Sequence, residues 1–400
     1  MSSVNQLIDY HQKRYNALPQ FLVKAPGRIN IIGEHTDYNN GYVLPTAIDR
    51  YIYFVISRRE DNKFNIYAAD LDKDHTFSLD HKPNVNGYAW YLHITGVIEE
   101  FRKKNHTPLT GLEITYGGDI PGGSGLSSSA AIEAGFATAI NTIFNFALTK
   151  LDLAYVAQMT EHHHIEVQCG IMDMYASIFS EKDKVLLLDC NSLTHQFVPL
   201  DLKDCIFVLV NSGVKHNLAD SAYNERRQQC EFGVAYFQTI DQSITSLRDV
   251  TFQMIESAKD FLDPIVWKRC KYVIEENQRV LDTVAYLSEN NLEKVGALLY
   301  ASHKGLSEDY EVSCKELDDL IDIVKELPYV LGARMMGGGF GGCTINLLPI
   351  SKLNSFKKTV SEKYKFLYNF NPDIIEVNNA QGITIDSLID LDTNKYTNQV

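Results

Sequence analysis

An α+β fold is what the sequence predicts, on three observations. Short β-branched and aromatic runs at residues 51–57, 64–68, 112–116, 185–189 and 206–211 read as strands. Stretches with apolar residues at helical spacing lie between them and fill more of the second half. The strands are not regularly separated by crossover helices, as a doubly wound sheet requires, and no internal repeat or low-complexity tract interrupts the pattern. With 400 residues, 45% of them hydrophobic, the chain can bury a sizeable core, and its length suggests two or three domains. No Pro- or Ser-rich linker separates the halves, so the boundary is placed near Leu202, giving domains of residues 1–202 and 203–400.

Taken in order, Ile29, Ile31 and Ile32 supply the apolar part of an early strand, which Gly33 then breaks. Residues 90–104 form an amphipathic helix with Trp90, Ile94, Val97, Ile98 and Phe101 on one face. Glu99, Glu100, Arg102, Lys103 and Lys104 fall largely on the other. Residues 126–144 and 151–166 are also helical in pattern, followed after the boundary by 220–237, 264–289, 292–303 and 314–326. Strands near Arg334, Thr344 and Ile374 close the chain.

A net charge of −14 argues against nucleic acid or an acidic membrane as partner, because phosphate would be repelled overall. An anionic nucleotide would therefore need local help from helix N-termini, backbone amides, a few cations and a metal ion. The N-terminus lacks an apolar signal region and no apolar stretch is long enough to span a bilayer, so a cytoplasmic protein is expected. The seven cysteines are scattered and never spaced C-x-x-C, which fits reduced thiols rather than disulfides or a structural zinc. Oligomeric state is not written in the sequence; a monomer is the default expectation.

Three constellations carry the chemistry. The first is residues 27–38, GRINIIGEHTDY, where Arg28, Glu34, His35 and Asp37 gather around one strand-to-loop corner. Any one of them fits a solvated loop, but together they oppose donors and acceptors in a way that can read a polyhydroxylated ligand. The longer segment PGRINIIGEHTDYNNGYVLPTAI, residues 26–48, resembles the signature of galactokinases, members of the GHMP small-molecule kinase superfamily. That resemblance implies a two-domain fold, N-terminal ribosomal-protein-like and C-terminal ferredoxin-like, with the active site in the cleft between them.

The second is residues 119–131, DIPGGSGLSSSAA, between a predicted strand and a predicted helix. Gly122, Gly123 and Gly125 allow close backbone approach, and Ser127, Ser128 and Ser129 stand at the helix start, where unpaired amides and the helix dipole favour an anion. It is neither a Walker A loop nor a dinucleotide fingerprint, and alone it reads equally as a Gly-rich turn with a Ser-rich cap. It is similar to the nucleotide-phosphate loop of GHMP kinases, which implies ATP contacts from Gly122, Gly123, Ser124, Gly125, Leu126, Ser127, Ser128 and Ser129; Ser124 stands where many relatives have Gly or Ala.

The third is residues 169–175, CGIMDMY, after a helix carrying Glu161. Gly170 permits a turn that brings Asp173 into a cleft, although an Asp after Gly is ordinarily an Asx-turn or an exposed charge. The resemblance implies that Asp173 faces the anomeric hydroxyl of a sugar, with Arg28 beside it keeping it ionised, and that Gly170 borders the sugar; Met174 stands where most galactokinases have Gln. It likewise implies Mg²⁺ held by Glu161 and Ser128. The adjacent His162, His163 and His164 diverge by about a third of a turn each on a helix and read as surface or partly packed.

The Gly-rich segment at residues 332–346, GARMMGGGFGGCTIN, serves either as a bend between strands or as a close approach to a ligand, and resembles the third GHMP motif, which lies against the phosphate loop. Tyr223 stands where galactokinases present a hydroxyl to the sugar, and Trp90 resembles the aromatic lining the adenine pocket; each could equally be a packed helix residue. The implied activity is phosphorylation of α-D-galactose at its anomeric oxygen by MgATP, with Asp173 accepting the proton, Arg28 supplying charge, and Glu34, His35 and Asp37 reading sugar hydroxyls. A kinase of the same fold for another sugar, or a non-catalytic galactose and ATP sensor, are the alternatives.

Overall fold

The computed structural model describes residues 2–80, 89–107, 110–122, 125–214 and 219–388. Two antiparallel-rich sheets organise it. The larger runs in the order Thr384–Ser387, Phe21–Asn30, Pro45–Arg58, Leu112–Gly118, Lys63–Ala68, Lys73–Ser78. All its neighbours are antiparallel except Lys63–Ala68 against Leu112–Gly118. The second, Gly332–Met335, Cys343–Pro349, Cys205–Asn211, Asp373–Val377, is antiparallel throughout. A small third sheet joins Tyr42–Val43, Lys184–Asp189 and Thr194–Pro199.

The helix Ser128–Phe144 seats closely on the first sheet because much of its buried surface is small: Ala130, Ala131, Ala134, Ala137 and Ala139 are buried beside Phe136, Ile140 and Ile143, and a Cβ at Gly135 would sit 2.7 Å from that of Ala25. This close seat carries the helix start to the edge of Arg28, whose backbone N–H donates to the Leu126 carbonyl at 3.2 Å. The predicted helices appear at Leu92–Lys103, Lys150–Thr160, Ala219–Ile240, Pro264–Ser288, Leu292–Lys304 and Lys315–Lys325, and the strands near Arg334, Thr344 and Ile374 at Gly332–Met335, Cys343–Pro349 and Asp373–Val377. A core shared by the two halves joins Ile29, Phe54 and Phe136 to Phe207, Ile345 and Val280.

Several expectations change. The first strand ends at Asn30; Ile31 and Ile32 lie past it, although both still bond the Leu44 backbone. Side chains replace the ladder there, since Asn30 bonds the Leu44 N–H and Glu34, and Arg334 takes the Ile31 carbonyl. Glu100, expected on the polar face, is buried and accepts hydrogen bonds from Lys103, His163 and His164. His163 and His164 reach one carboxylate because the chain widens into a π-helical turn at Glu161–Ile165, whereas His162 pairs with the Cys169 carbonyl at 2.8 Å. The strand Thr384–Ser387 pairs with Phe21–Asn30, so the end of the described chain returns to the N-terminal sheet across residue 202. The helices Val4–Tyr15, Met172–Phe179 and Leu353–Tyr368 and the strands Lys73–Ser78 and Thr194–Pro199 were not expected. All seven cysteines are unpaired.

Candidate active site

A cleft of about 760 Å³ is lined from both halves of the chain. On one wall Arg28 leaves the end of the first strand, and Asp173 rises from the first turn of Met172–Phe179. Arg28 is 4% exposed and grips Asp173 in two parallel bonds, Nε to Oδ1 at 2.7 Å and Nη2 to Oδ2 at 2.8 Å. Such a fork fixes the carboxylate in orientation as well as in charge. Burial opposes the Arg28 charge, but Asp173 and Glu34 outweigh it and its pKa rises. The Ser127 hydroxyl also donates to Asp173 Oδ2. Of the roughly four lone-pair positions of a carboxylate, three are thereby occupied and one remains for a ligand.

Asp37 lies opposite, in a one-turn 3₁₀ helix, with Gly170 against it: a Cβ there would fall 1.8 Å from Asp37 Oδ2. Burial, then the Asp173 charge, push the Asp37 carboxyl up to about 7. Glu34 borders the cleft but is first an anchor, with Oε1 accepting from Arg334 at 2.9 Å and the Gly337 amide at 2.8 Å, and Oε2 accepting from Asn30 at 2.8 Å. His35 adopts a left-handed φ of 63° and bonds the Tyr38 hydroxyl through Nδ1 at 2.8 Å. Burial lowers its pKa to about 3, with the Gly338 carbonyl acting the other way, so the ring is neutral. Tyr223 closes this wall, its ring 5.4 Å from that of His35. Arg28, Glu34, His35, Asp37, Gly170, Asp173 and Tyr223 therefore line one cleft.

The phosphate-loop residues are divided. Gly122, Ser128 and Ser129 line the cleft at the start of the helix Ser128–Phe144. Leu126 is 1% exposed and packs into the core, so only its backbone is near the site, and the Ser127 hydroxyl is committed to Asp173 rather than free for a phosphate. Ser127 holds a φ of 59°, a left-handed conformation that costs a non-glycine residue about 1–2 kcal/mol. Gly123 and Ser124 lie outside the described residues. Gly125 lies beside the third motif, since a Cβ on Gly337 would stand 3.6 Å from the Gly125 carbonyl. Trp90, half-buried, lines the far wall with Tyr116, the two rings 6.3 Å apart. Met174 is buried at the wall.

Glu161 is buried at the floor. Burial, then Glu133, push it up to about 8, while His93 and a hydrogen bond from the Ser129 hydroxyl act in the other direction. Both Ser128 and Ser129 line the cleft together with Glu161. One Glu133 carboxylate oxygen bonds His93 at 2.8 Å and the other is buried without a partner. Two buried carboxyls side by side, one with an oxygen that has no partner, form a setting a divalent cation would relieve.

Sequence reasoning missed Glu133, His93 and Arg334. Glu133 had a signal, because the four-residue step from Ser129 puts both on one helix face. Arg334 is a buried cation at the head of the third motif, and its bonds to Glu34 and to the Asn30 and Ile31 carbonyls tie that motif to the first. His93 has no such spacing.

Comparison with known proteins matches residues 9–58 to the galactokinase galactose-binding signature, 93–181 to the GHMP kinases N-terminal domain and 283–365 to the GHMP kinases C-terminal domain. The galactokinase of Thermosipho africanus is 41% identical over 362 residues, 90% of this chain and 99% of that protein. That of Clostridium acetobutylicum is 36% identical over 385 residues, 96% and 99%. The crystal structure of Lactococcus lactis galactokinase complexed with galactose superposes with a TM-score of 0.92 at 33% identity, covering 96% of this chain and all of that one. Methanococcus jannaschii mevalonate kinase, at 20% identity and a TM-score of 0.63, shares the fold.

Proposed function

The chain belongs to the galactokinase family of GHMP kinases, and from that membership we infer that it transfers the γ-phosphoryl group of ATP to the anomeric oxygen of α-D-galactose, giving galactose 1-phosphate and ADP. The observation that carries this reading is the Arg28–Asp173 fork, set between the loop bearing Asp37 and the start of the helix Ser128–Phe144. Phosphoryl transfer needs in-line positioning, compensation of charge on the migrating group and loss of the hydroxyl proton.

In this reading Asp37, His35, Glu34 and Tyr223 hold the sugar so that its anomeric hydroxyl meets the free position on Asp173. Arg28 orients that carboxylate and adds positive charge near the transferring group. The proton leaving the hydroxyl ends on Asp173, which then carries it until product leaves. Helix-start amides and the hydroxyls of Ser128 and Ser129 favour the phosphate chain, as an overall negative protein requires. Trp90 offers an aromatic wall to adenine. Glu161, with Ser128 or Ser129, would hold Mg²⁺, which when bound neutralises charge on the phosphates.

No helix among the described residues is long and apolar enough to cross a membrane, and the unpaired thiols support a cytoplasmic setting. The test is ADP release with galactose, glucose, N-acetylgalactosamine, arabinose and mevalonate as acceptors. Galactose is expected to lead by tenfold or more, since each unmade hydrogen bond at a buried polar group costs about 1–3 kcal/mol. Turnover highest with another acceptor would overturn the assignment.

A further inference from the structure

His93, Glu133 and Glu161 come from three different helical segments, yet one potential ligand atom from each lies within 4.8 Å of the others, and all three residues are buried. Glu133 has no exposure at all, and one of its oxygens has no hydrogen-bond partner. The other oxygen meets His93 Nδ1 at 2.8 Å. Two carboxylates and one imidazole converging in the interior, with an acceptor left over, form a donor set for a divalent ion. Ligand atoms around 2 Å from one ion stand about 3–4 Å apart, so atoms already within 4.8 Å of one another need only small side-chain shifts to close on one.

We propose that His93, Glu133 and Glu161 form a divalent-cation site which the protein fills without nucleotide, and whose imidazole favours a nitrogen-accepting ion such as Mn²⁺ over Mg²⁺. The proposal rests on the reading of Glu161 as a metal ligand and adds to it two residues with no other function in the reaction. Mg²⁺ prefers an all-oxygen octahedron and keeps its waters, whereas first-row transition ions accept imidazole readily. The site opens on the cleft beside Ser129, so an ion held there stands at the phosphate side before ATP arrives.

The test is titration of the full-length, nucleotide-free protein with Mn²⁺, followed by electron paramagnetic resonance. One Mn²⁺ per chain should bind, displaced only by Mg²⁺ at about tenfold or greater excess. Its spin-echo modulation should show one coordinated ¹⁴N, a readout that needs no variant. Glu133→Gln and His93→Gln should each weaken binding by about 10–100-fold, the range for lost ligands and their close supports, and His93→Gln should abolish the ¹⁴N signal. No bound Mn²⁺ without nucleotide, or a bound ion lacking the ¹⁴N signal, overturns the proposal. In that event a raised Mg²⁺ requirement for turnover in Glu161→Gln would leave Glu161 as a ligand of the nucleotide's ion, and an unchanged requirement would remove that assignment as well.

Discussion

Asp173 is held by three donated hydrogen bonds, two from Arg28 and one from Ser127, so its geometry is set before any substrate arrives. Asp173→Asn keeps the shape but cannot take a proton. Turnover should fall by about 10²–10⁴-fold, the range for losing a positioned acid or base, while galactose affinity measured by calorimetry changes little. Wild-type turnover in that variant would remove Asp173 from the chemistry. Gly170 makes a steric prediction, because a Cβ would collide with Asp37 Oδ2. Gly170→Ala should weaken galactose binding sharply and leave nucleotide binding near normal, as equilibrium titrations with each ligand would report.

Asp37 adds a pH dependence. Its folded-state value of about 7 lies above that of an unfolded Asp, about 4. Its contribution to stability is therefore present below pH 4 and lost as pH rises through 7. Galactose hydroxyls donate to a carboxylate, so the sugar binds the ionised form and should displace a proton between about pH 5 and 7. Calorimetry in buffers of different ionisation enthalpy should detect that release at pH 6, and Asp37→Asn should abolish it. At this scale the sequence was most informative, since Arg28, Asp37 and Asp173 sit in short motifs. It could not say that Ser127 would serve Asp173 instead of phosphate, because that depends on a left-handed turn at one residue.

The loop between the first strand and Tyr42–Val43 is fastened by elements more than 200 residues away. Glu276, fully buried on Pro264–Ser288, accepts from the Gly33 amide at 2.9 Å and the Ser302 hydroxyl at 2.7 Å. Asn277 accepts from the Tyr42 amide at 2.8 Å, and the Tyr272 hydroxyl donates to the Glu34 carbonyl at 3.0 Å. Arg334 holds the same loop from the second sheet. Asn277→Ala should raise the galactose KM with little change in kcat and cost about 1–3 kcal/mol, the penalty for an orphaned buried amide. Arg334→Leu should be harsher, about 3–5 kcal/mol, because it strands the buried Glu34 charge; thermal unfolding would rank the two. Helical spacing in Pro264–Ser288 was legible in sequence because burial of one face repeats every turn. These clamps were not, since a lone polar residue on a buried face carries no sign of its distant partner.

Across the whole molecule, a chain of net charge −14 that takes a polyanion as proposed needs its compensation concentrated locally, and one cleft offers Arg28, a helix start and a cluster of buried carboxyls for it. The α+β class and the order of the three motifs were readable from sequence. The return of Thr384–Ser387 to the first sheet was not, because four residues at a sheet edge give too short a pattern to register. In the proposed function, the cleft joins a sugar-reading corner to a phosphate-reading helix start, with Asp173 at their meeting point. The position of the new phosphate on the sugar tests that arrangement most directly. ³¹P NMR of the product from galactose and MgATP should show a single sugar phosphate ester coupled to the anomeric proton, with ADP in equal amount. A phosphate on the primary C6 hydroxyl, or ATP consumed with no sugar ester formed, would contradict it.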